Sequence, residues 1–336
     1  EEYGAGLTNL EYAPLAEIMG YSPIASEAFN CSAPDTGNME VLVKYGSPAQ
    51  KKQWLEPLLE GTIRSVFFMT EPDVASSDAT NMQATCTIEG DEVVLNGRKW
   101  WSSGVGHPQC KIGIFMGVTD PTASRHAQHS MVLVPLDTPG VKIERMLPVF
   151  GRWDAPEGHG EVSFTNVRVP LSNIIAGPGR GFEIAQGRLG PGRIHHCMRL
   201  IGASERALKH LCERATSRVA FGKPLASLGG NRDIIANSRI DIECARLLTL
   251  KAAWMADNKQ PNSKEASMCK AKAGRVGNDI TLKCVEICGA LGYSENWLLE
   301  KLARDSKIID IFEGTQQIQQ LIVARHLLGK SSSELK

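Results

Sequence analysis

The sequence predicts an α+β, multidomain chain. An N-terminal helical domain is expected over residues 1–65, a middle antiparallel β-barrel or sandwich over 66–176, and a C-terminal four-helix bundle over 177–330. Three observations predict it. Apolar residues recur at helical spacing in the first and last parts of the chain. Short β-branched runs separated by Pro/Gly/Asp turns fill the middle, with no helical pattern between them. A Gly-Pro-rich link at 177–181 marks the change of period from the second region to the third.

The first region opens on Glu1-Glu2-Tyr3-Gly4, which resembles neither a signal nor a transit peptide and reads as mid-chain, so a preceding helical segment is expected. Its clearest element starts at Ser47-Pro48-Ala49-Gln50. Serine is the N-cap, proline suits the first helical position because it lacks an N–H, and glutamine three residues on completes a capping box. The helix that follows should bury Trp54, Leu55, Leu58 and Leu59. In the middle region, Val93-Val94-Leu95 and Arg98-Lys99-Trp100-Trp101 flank Asn96-Gly97, a dipeptide suited to positive φ, and predict a hairpin. The runs 112–116, 131–134 and 162–169 add further strands. Beyond the link, Leu200-Ala203-Ala207-Leu211-Ala215, Ile242-Ala245-Leu248-Ala252-Met255 and Val276-Ile280-Cys284-Ile287-Leu291 step by three and four, and a shorter helix runs from Gln316 to about Leu328. Four such helices pack most simply as a bundle.

Composition excludes several classes. The chain has 336 residues, 42% apolar and 22% charged, an ordinary globular balance that argues against disordered, collagen-like or coiled-coil chains. Thirty-seven basic residues offset 37 acidic ones, which weighs against nucleic acid or an anionic membrane as main partner. Apolar stretches fall short of the roughly 18 residues a spanning helix needs, so no integral membrane segment is expected. Nine scattered cysteines without a C-x-x-C pair read as reduced thiols rather than a disulfide framework.

Several motifs fail on inspection. Gly177-Pro178-Gly179-Arg180-Gly181 has no following Gly-Lys-Ser/Thr and no β-α-β context, so it reads as a linker. His195 and His196 are adjacent, about 100° apart on a helix, and do not chelate one metal as an i, i+4 pair could; no metal site is expected. No G-x-S-x-G elbow occurs. Two segments survive. Thr70-Glu71-Pro72, Ser76-Ser77-Asp78 and Lys99-Trp100-Trp101-Ser102-Ser103-Gly104 place hydroxyls, loop amides and paired indoles at strand ends, a surface suited to a flat aromatic ligand; a structural turn with a buried tryptophan is the plainer alternative. In Ile308-Ile309-Asp310-Ile311-Phe312-Glu313-Gly314-Thr315, a carboxylate follows an apolar run just before a helix. Desolvation there would raise its pKa toward that of a general base, whereas a glutamate serving only the helix dipole needs no such role.

Together these segments resemble the acyl-CoA dehydrogenase flavoprotein family. Thr70-Glu71-Pro72 with Ser77-Asp78, Gly97-Arg98-Lys99-Trp100-Trp101, Arg218-x-x-Phe221-Gly222-Lys223-Pro224-Leu225 and Phe312-Glu313-Gly314-Thr315-x-x-Ile318 occur in the family's order and span essentially the whole chain. The stretch 177–207 is similar to a subgroup of larger members, and 299–328 to medium-chain and bacterial ones.

The resemblance implies FAD as cofactor, a fatty acyl-CoA substrate, β-oxidation and lipid metabolism, and a homodimer or homotetramer. It implies that Thr70 meets the flavin pyrimidine edge, Trp101 stacks on the ring and Ser103 bonds near N5. Ser77 contacts the acyl-CoA moiety beside the cofactor, Arg193 lies near substrate and flavin, and Gly314 meets the substrate. Arg218 and Phe221 reach the FAD of a neighbouring subunit, and Thr315 and Gln317 lie near FAD. Glu313 takes the pro-R α-proton while the β-hydrogen leaves as hydride to flavin N5, giving the trans-2-enoyl-CoA. The ribityl hydroxyl and the backbone amide of the base polarise the thioester carbonyl. Some branches carry the base on a bundle helix, at the position of Gly192, which has no side chain here. Two glutamines that help bind the adenosine portion are replaced by Gly229 and Glu286. Electron-transfer flavoprotein is the implied acceptor. An oxygen-reducing acyl-CoA oxidase is the close alternative, and a flavin-bearing nucleic-acid-binding relative the distant one, disfavoured by zero net charge. The implied compartment is the cytoplasm in a bacterium, the mitochondrial matrix or peroxisome in a eukaryote, with no targeting segment in view.

Overall fold

The computed structural model describes residues 3–154 and 157–335. Helices α1 (Asn9–Gly20), α2 (Ala25–Ala28), α3 (Asp35–Tyr45), α4 (Pro48–Gln50) and α5 (Glu56–Leu59) come first. Strands β1 (Arg64–Phe68), β2 (Thr85–Glu89), β3 (Glu92–Ser103), β4 (Cys110–Val118), β5 (His129–Pro135), β6 (Val141–Met146) and β7 (His159–Pro170) follow. The third part holds α6 (Gly181–Ser217), the short strands β8 (Val219–Ala220) and β9 (Lys223–Pro224), then α7 (Gly229–Asp257), α8 (Ser263–Cys288), α9 (Ala290–Tyr293), α10 (Leu299–Lys307) and α11 (Gln316–Leu328). The backbone divides into two compact units, Phe29–Leu189 on one side and Glu1–Ala28 with Gly190–Lys336 on the other.

In the first unit the seven strands form one curled, mixed sheet in the order β1-β4-β2-β3-β7-β6, with β5 also on β4. Its core is apolar: Val66, Phe68, Phe115, Val132, Val162 and Phe164 are all essentially buried. The expected all-antiparallel pairing is corrected at β1, which runs parallel to β4, and β2 also meets the end of β4 in parallel. A helix-free stretch argues for hairpins, but strands distant in sequence can still pair in parallel once loops carry the chain around. The predicted hairpin at Asn96-Gly97 is also corrected. Residues 92–103 are one continuous strand, and the tight turn lies earlier, at Gly90-Asp91, where Glu89 faces Glu92. Gly97 instead sits in a bulge between the Leu95 and Gly97 pairings with β7. Its φ is +139°, and a Cβ there would stand 2.6 Å from that of Ala84, so glycine answers a close backbone approach rather than a turn.

The capping box at Ser47 forms as expected: Ser47 Oγ accepts from the Gln50 N–H at 3.2 Å, and Gln50 Oε1 accepts from the Ser47 N–H at 3.0 Å. The single helix expected after it is interrupted by a π turn over Lys51–Leu55, which closes with the Glu56 N–H on the Lys51 carbonyl. Pro57 is the physical reason, since its ring would crowd the carbonyl four residues back and it brings no N–H. Leu55 and Leu58 are buried, whereas Trp54 and Leu59 are only half-buried.

The second unit is helical. α1 is capped by its own Thr8 and by the Asp257 carboxylate at the end of α7, which accepts from the backbone of Asn9 and Leu10, both at 2.8 Å. Arg246 ties the same pair of helices by a two-pronged bond to Glu17 at 2.9 and 2.7 Å. The helix predicted around 200–215 is longer, since α6 already starts at Gly181. The one predicted through Leu291 stops at Cys288, because Gly289 takes a left-handed φ of +65°. A helix that periodicity missed, α10, packs on α8 and buries Leu299, Leu302 and Ser306.

Candidate functional site

The two surviving segments lie in different units, and each builds a surface of its own. In the sheet unit, β3 and β7 pair Lys99 with Val162 and Ser102 with Gly160, which leaves one extra residue on β3. That bulge turns Trp101 to a φ of +51° with 41% of its surface exposed, so the indole is presented rather than buried. Trp100 and His159 flank it, with ring centroids 6.0 and 5.9 Å away. The Trp100 N–H donates to the Thr70 carbonyl at 3.0 Å and so fixes that loop beside the indoles. Ser103 lies opposite His159 in the sheet, its hydroxyl 2.8 Å from Nδ1, and Nε2 of the same ring is 3.0 Å from the Asp154 carboxylate. With Nε2–H donating to Asp154, a neutral His159 accepts the serine proton at Nδ1.

The loop carrying Thr70 and Ser77 is anchored from below by a buried ion pair. Lys99 Nζ, 0% exposed as a side chain, donates to Glu71 at 2.7 Å and to the carbonyls of Met69 and Met116 at 3.0 and 2.7 Å. Glu71 also accepts from the amides of Gln83 and Ala84 at 2.8 and 3.0 Å. Burial pulls the Lys99 pKa down to about 8, opposed by the Glu71 charge. Ser77 itself is exposed on this loop.

In the helical unit, Glu313 occupies a turn between α10 and α11 at a φ of +52°, followed by Gly314 at +94°. Thr315 caps α11, its hydroxyl accepting from the Ile318 N–H at 3.3 Å. The turn's carbonyls are held from three directions. Arg193 Nε donates to the Glu313 carbonyl at 3.2 Å, Gln319 to the carbonyls of Glu313 and Gly314 at 3.1 Å each, and Lys270 to those of Ile309 and Gly314 at 2.7 Å each. Burial lowers the pKa of Arg193 and brings Lys270 down to about 8, with the Glu313 charge opposing both. The Glu313 side chain is 12% exposed and lies against α6: a Cβ on Gly192 would stand 3.0 Å from Oε1, and His196 Nε2 is 3.5 Å from the same oxygen.

The structure therefore brings Glu313, Gly314, Thr315 and Arg193 together. Arg218 and Phe221 stand apart from them, beyond the far end of α6, about 35 Å along the helix from Arg193. Phe221 is 95% exposed at the tip of the β8–β9 hairpin. Gln317 is exposed on α11, and Gly229 and Glu286 are exposed on α7 and α8. Sequence reasoning missed His159, His196, Lys270 and Gln319. His196 carried one usable signal, its four-residue spacing from Gly192.

Three domain descriptions match in succession: the acyl-CoA dehydrogenase N-terminal domain over residues 1–62, the middle domain over 66–167 and the C-terminal domain over 179–328. The chain belongs to the acyl-CoA dehydrogenase family. It is 53% identical over 334 residues to acyl-CoA dehydrogenase family member 10 of Mus musculus, a match covering 99% of this chain and 31% of that protein. It is 52% identical over 334 residues to the probable acyl-CoA dehydrogenase FadE2 of Mycobacterium tuberculosis, covering 98% of this chain and 81% of that one. Among solved structures, a candidate acyl-CoA dehydrogenase from Mycobacterium abscessus superposes with a TM-score of 0.96 at 57% identity, covering 98% of this chain and 81% of that chain. The chain spans less than half the length of several curated relatives that it matches, 31% of the mouse protein and 43% of acyl-CoA dehydrogenase family member 11 of Homo sapiens. Among the described residues no helix is long and apolar enough to cross a membrane, and no cluster of metal-ligating side chains occurs.

Proposed function

We propose that this chain catalyses FAD-dependent α,β-dehydrogenation of a fatty acyl-CoA thioester to the trans-2-enoyl-CoA, with Glu313 as the base. The setting of Glu313 carries the reading. A weakly acidic carbon needs a base that is shielded from water and fixed in place, and this carboxylate is nearly buried on a turn whose carbonyls are tied by Arg193, Lys270 and Gln319. A flat, partly exposed indole flanked by a hydrogen-bonded serine and the fixed Thr70 loop fits FAD. FAD, when bound, supplies the hydride acceptor for the β-hydrogen.

In this reading Thr70, Ser77, Trp101 and Ser103 hold the cofactor, and Ser77, Arg193 and Gly314 the substrate. Thr315, already capping α11, keeps a second lone pair for a cofactor contact, and Gln317 is accessible beside it. Arg218 and Phe221 serve the cofactor of a second copy, a role supported by a phenylalanine 95% exposed on its own subunit. A homodimer or homotetramer is further supported by Ile240, Leu247 and Trp254, which repeat every seven residues along α7 and are 59%, 65% and 47% exposed. Electron-transfer flavoprotein is the proposed acceptor.

Glu313→Gln tests the assignment. The variant should keep its yellow FAD yet lose flavin bleaching by acyl-CoA by about 10²–10⁴ or more, as for a lost general base. Bleaching at a near-normal rate would remove Glu313 from the mechanism.

A further inference from the structure

We propose that His196 is a positioning residue for the Glu313 carboxylate, acting as a neutral Nε2–H donor whose tautomer is set by Arg199. The inference rests on Glu313 being the base, as proposed above.

Gly192 and His196 are four residues apart on α6 and so share one face of the helix. The carboxylate lies across that face, with Oε1 3.0 Å from where a Gly192 Cβ would be and 3.5 Å from His196 Nε2. Glycine leaves room for the acid, and the imidazole bounds it. The ring is held on its other sides. Phe312 packs against it edge-on, centroids 4.7 Å apart at 80°, and Arg199 Nη2 lies 3.1 Å from Nδ1.

Arg199 decides where the proton sits. A guanidinium has donors only, so His196 Nδ1 must accept. The single N–H of the neutral ring is then on Nε2, facing Oε1 of Glu313. Protonating the ring would set an N–H against the guanidinium, which disfavours imidazolium. The distinction has a chemical consequence. An imidazolium would form an ion pair and weaken the base, whereas a neutral donor orients one oxygen and leaves the carboxylate basic. The 3.5 Å spacing is long for a resting hydrogen bond and is the kind that tightens when ligand binds.

Other charged and titratable groups face this point from each neighbouring element. On α6 these are Arg193, held on the Glu313 carbonyl, and His195, whose ring packs edge-on against Tyr12 of α1. Cys197 of α6 and Cys269 of α8 lie buried beneath. Lys270 of α8 holds the carbonyls of Ile309 and Gly314, and Asp310 is bonded to Asn278 and Lys307. Arg193 and Lys270 thus fix the backbone of the turn, and His196 addresses the carboxylate.

The test is the pH dependence of anaerobic flavin reduction in the FAD-loaded protein, using whichever of butyryl-, octanoyl- or palmitoyl-CoA bleaches the wild type fastest. Losing one hydrogen bond to a charged group should move the acid limb up by about one pH unit in His196→Leu. His196→Gln, whose amide can still donate, should bring it most of the way back. Arg199→Met should let the ring protonate, shifting the limb down and lowering the plateau rate. Independently of turnover, ¹⁵N-histidine NMR of the wild type at pH 7 should show His196 protonated at Nε2 only. An unmoved limb in His196→Leu, glutamine behaving like leucine, or an Nδ1–H signal for His196 would overturn the proposal. Glu313→Gln separates the two claims: if it abolishes bleaching while His196→Leu leaves the limb in place, only the role of His196 falls.

Discussion

Gly192→Ala should raise stability while lowering activity. Glycine inside α6 costs roughly 0.5–1 kcal/mol relative to alanine, so the helix gains from the methyl group. That methyl would stand 3.0 Å from Oε1 of Glu313, 3.3 Å from Oε2 and 3.5 Å from the carboxyl carbon. The carboxylate must therefore retreat by a few tenths of an ångström. A misplacement of about 1 Å in a reacting group costs on the order of 10²-fold, so a retreat of roughly a third to a half of that should slow flavin bleaching about three- to tenfold. Stopped-flow bleaching by saturating acyl-CoA and thermal unfolding, run on the same preparation, give the two readings. A variant that melts higher yet bleaches at the wild-type rate would show that the space beside Gly192 has no bearing on the base. A variant that melts lower would show that the turn, not the carboxylate, takes up the strain.

Lys270→Met removes the ammonium from beneath the Glu313 turn while keeping the apolar stem. Losing the bonds to Ile309 and Gly314, offset by relief of a buried charge, should cost about 1–3 kcal/mol and slow bleaching by more than tenfold; an unchanged rate would mean the turn needs no such anchor. His195 is kept neutral by burial, which pulls its pKa from the ordinary histidine value of about 6.5 down to about 4. The unfolded chain therefore takes up a proton that the folded one refuses, and about 3 kcal/mol of stability present above pH 6.5 should drain away as pH falls to 4. His195→Phe should flatten this part of the urea-stability profile, and an unchanged slope between pH 6.5 and 4 would refute the attribution. Gly97→Ala forces a Cβ to 2.6 Å from that of Ala84 at a φ of +139°, and should lower stability by about 1–3 kcal/mol in a thermal melt.

Local rules carried much of the reading. The capping box at Ser47, expected from the sequence, and the Thr315 cap on α11 both depend on atoms within four residues of one another, and both form. Asn96-Gly97 shows where local rules stop. The dipeptide has turn chemistry, yet the approach of Ala84 from another strand decides that it is a bulge. The same limit hid α10, whose nine residues offer too little periodicity, and the parallel pairing of β1 with β4.

The order of chemistry-bearing segments, the capped helices and the isolated carboxylate before α11 were determined by sequence alone, because neighbours in the chain impose them. Which groups meet that carboxylate was decided only by tertiary structure. Gly192 and His196 precede Glu313 by more than a hundred residues, and Lys270 by more than forty. No spacing rule links them, because helix packing rather than chain continuity brings α6 and α8 against the turn. Chain separation erases the pattern, and burial restores the contact.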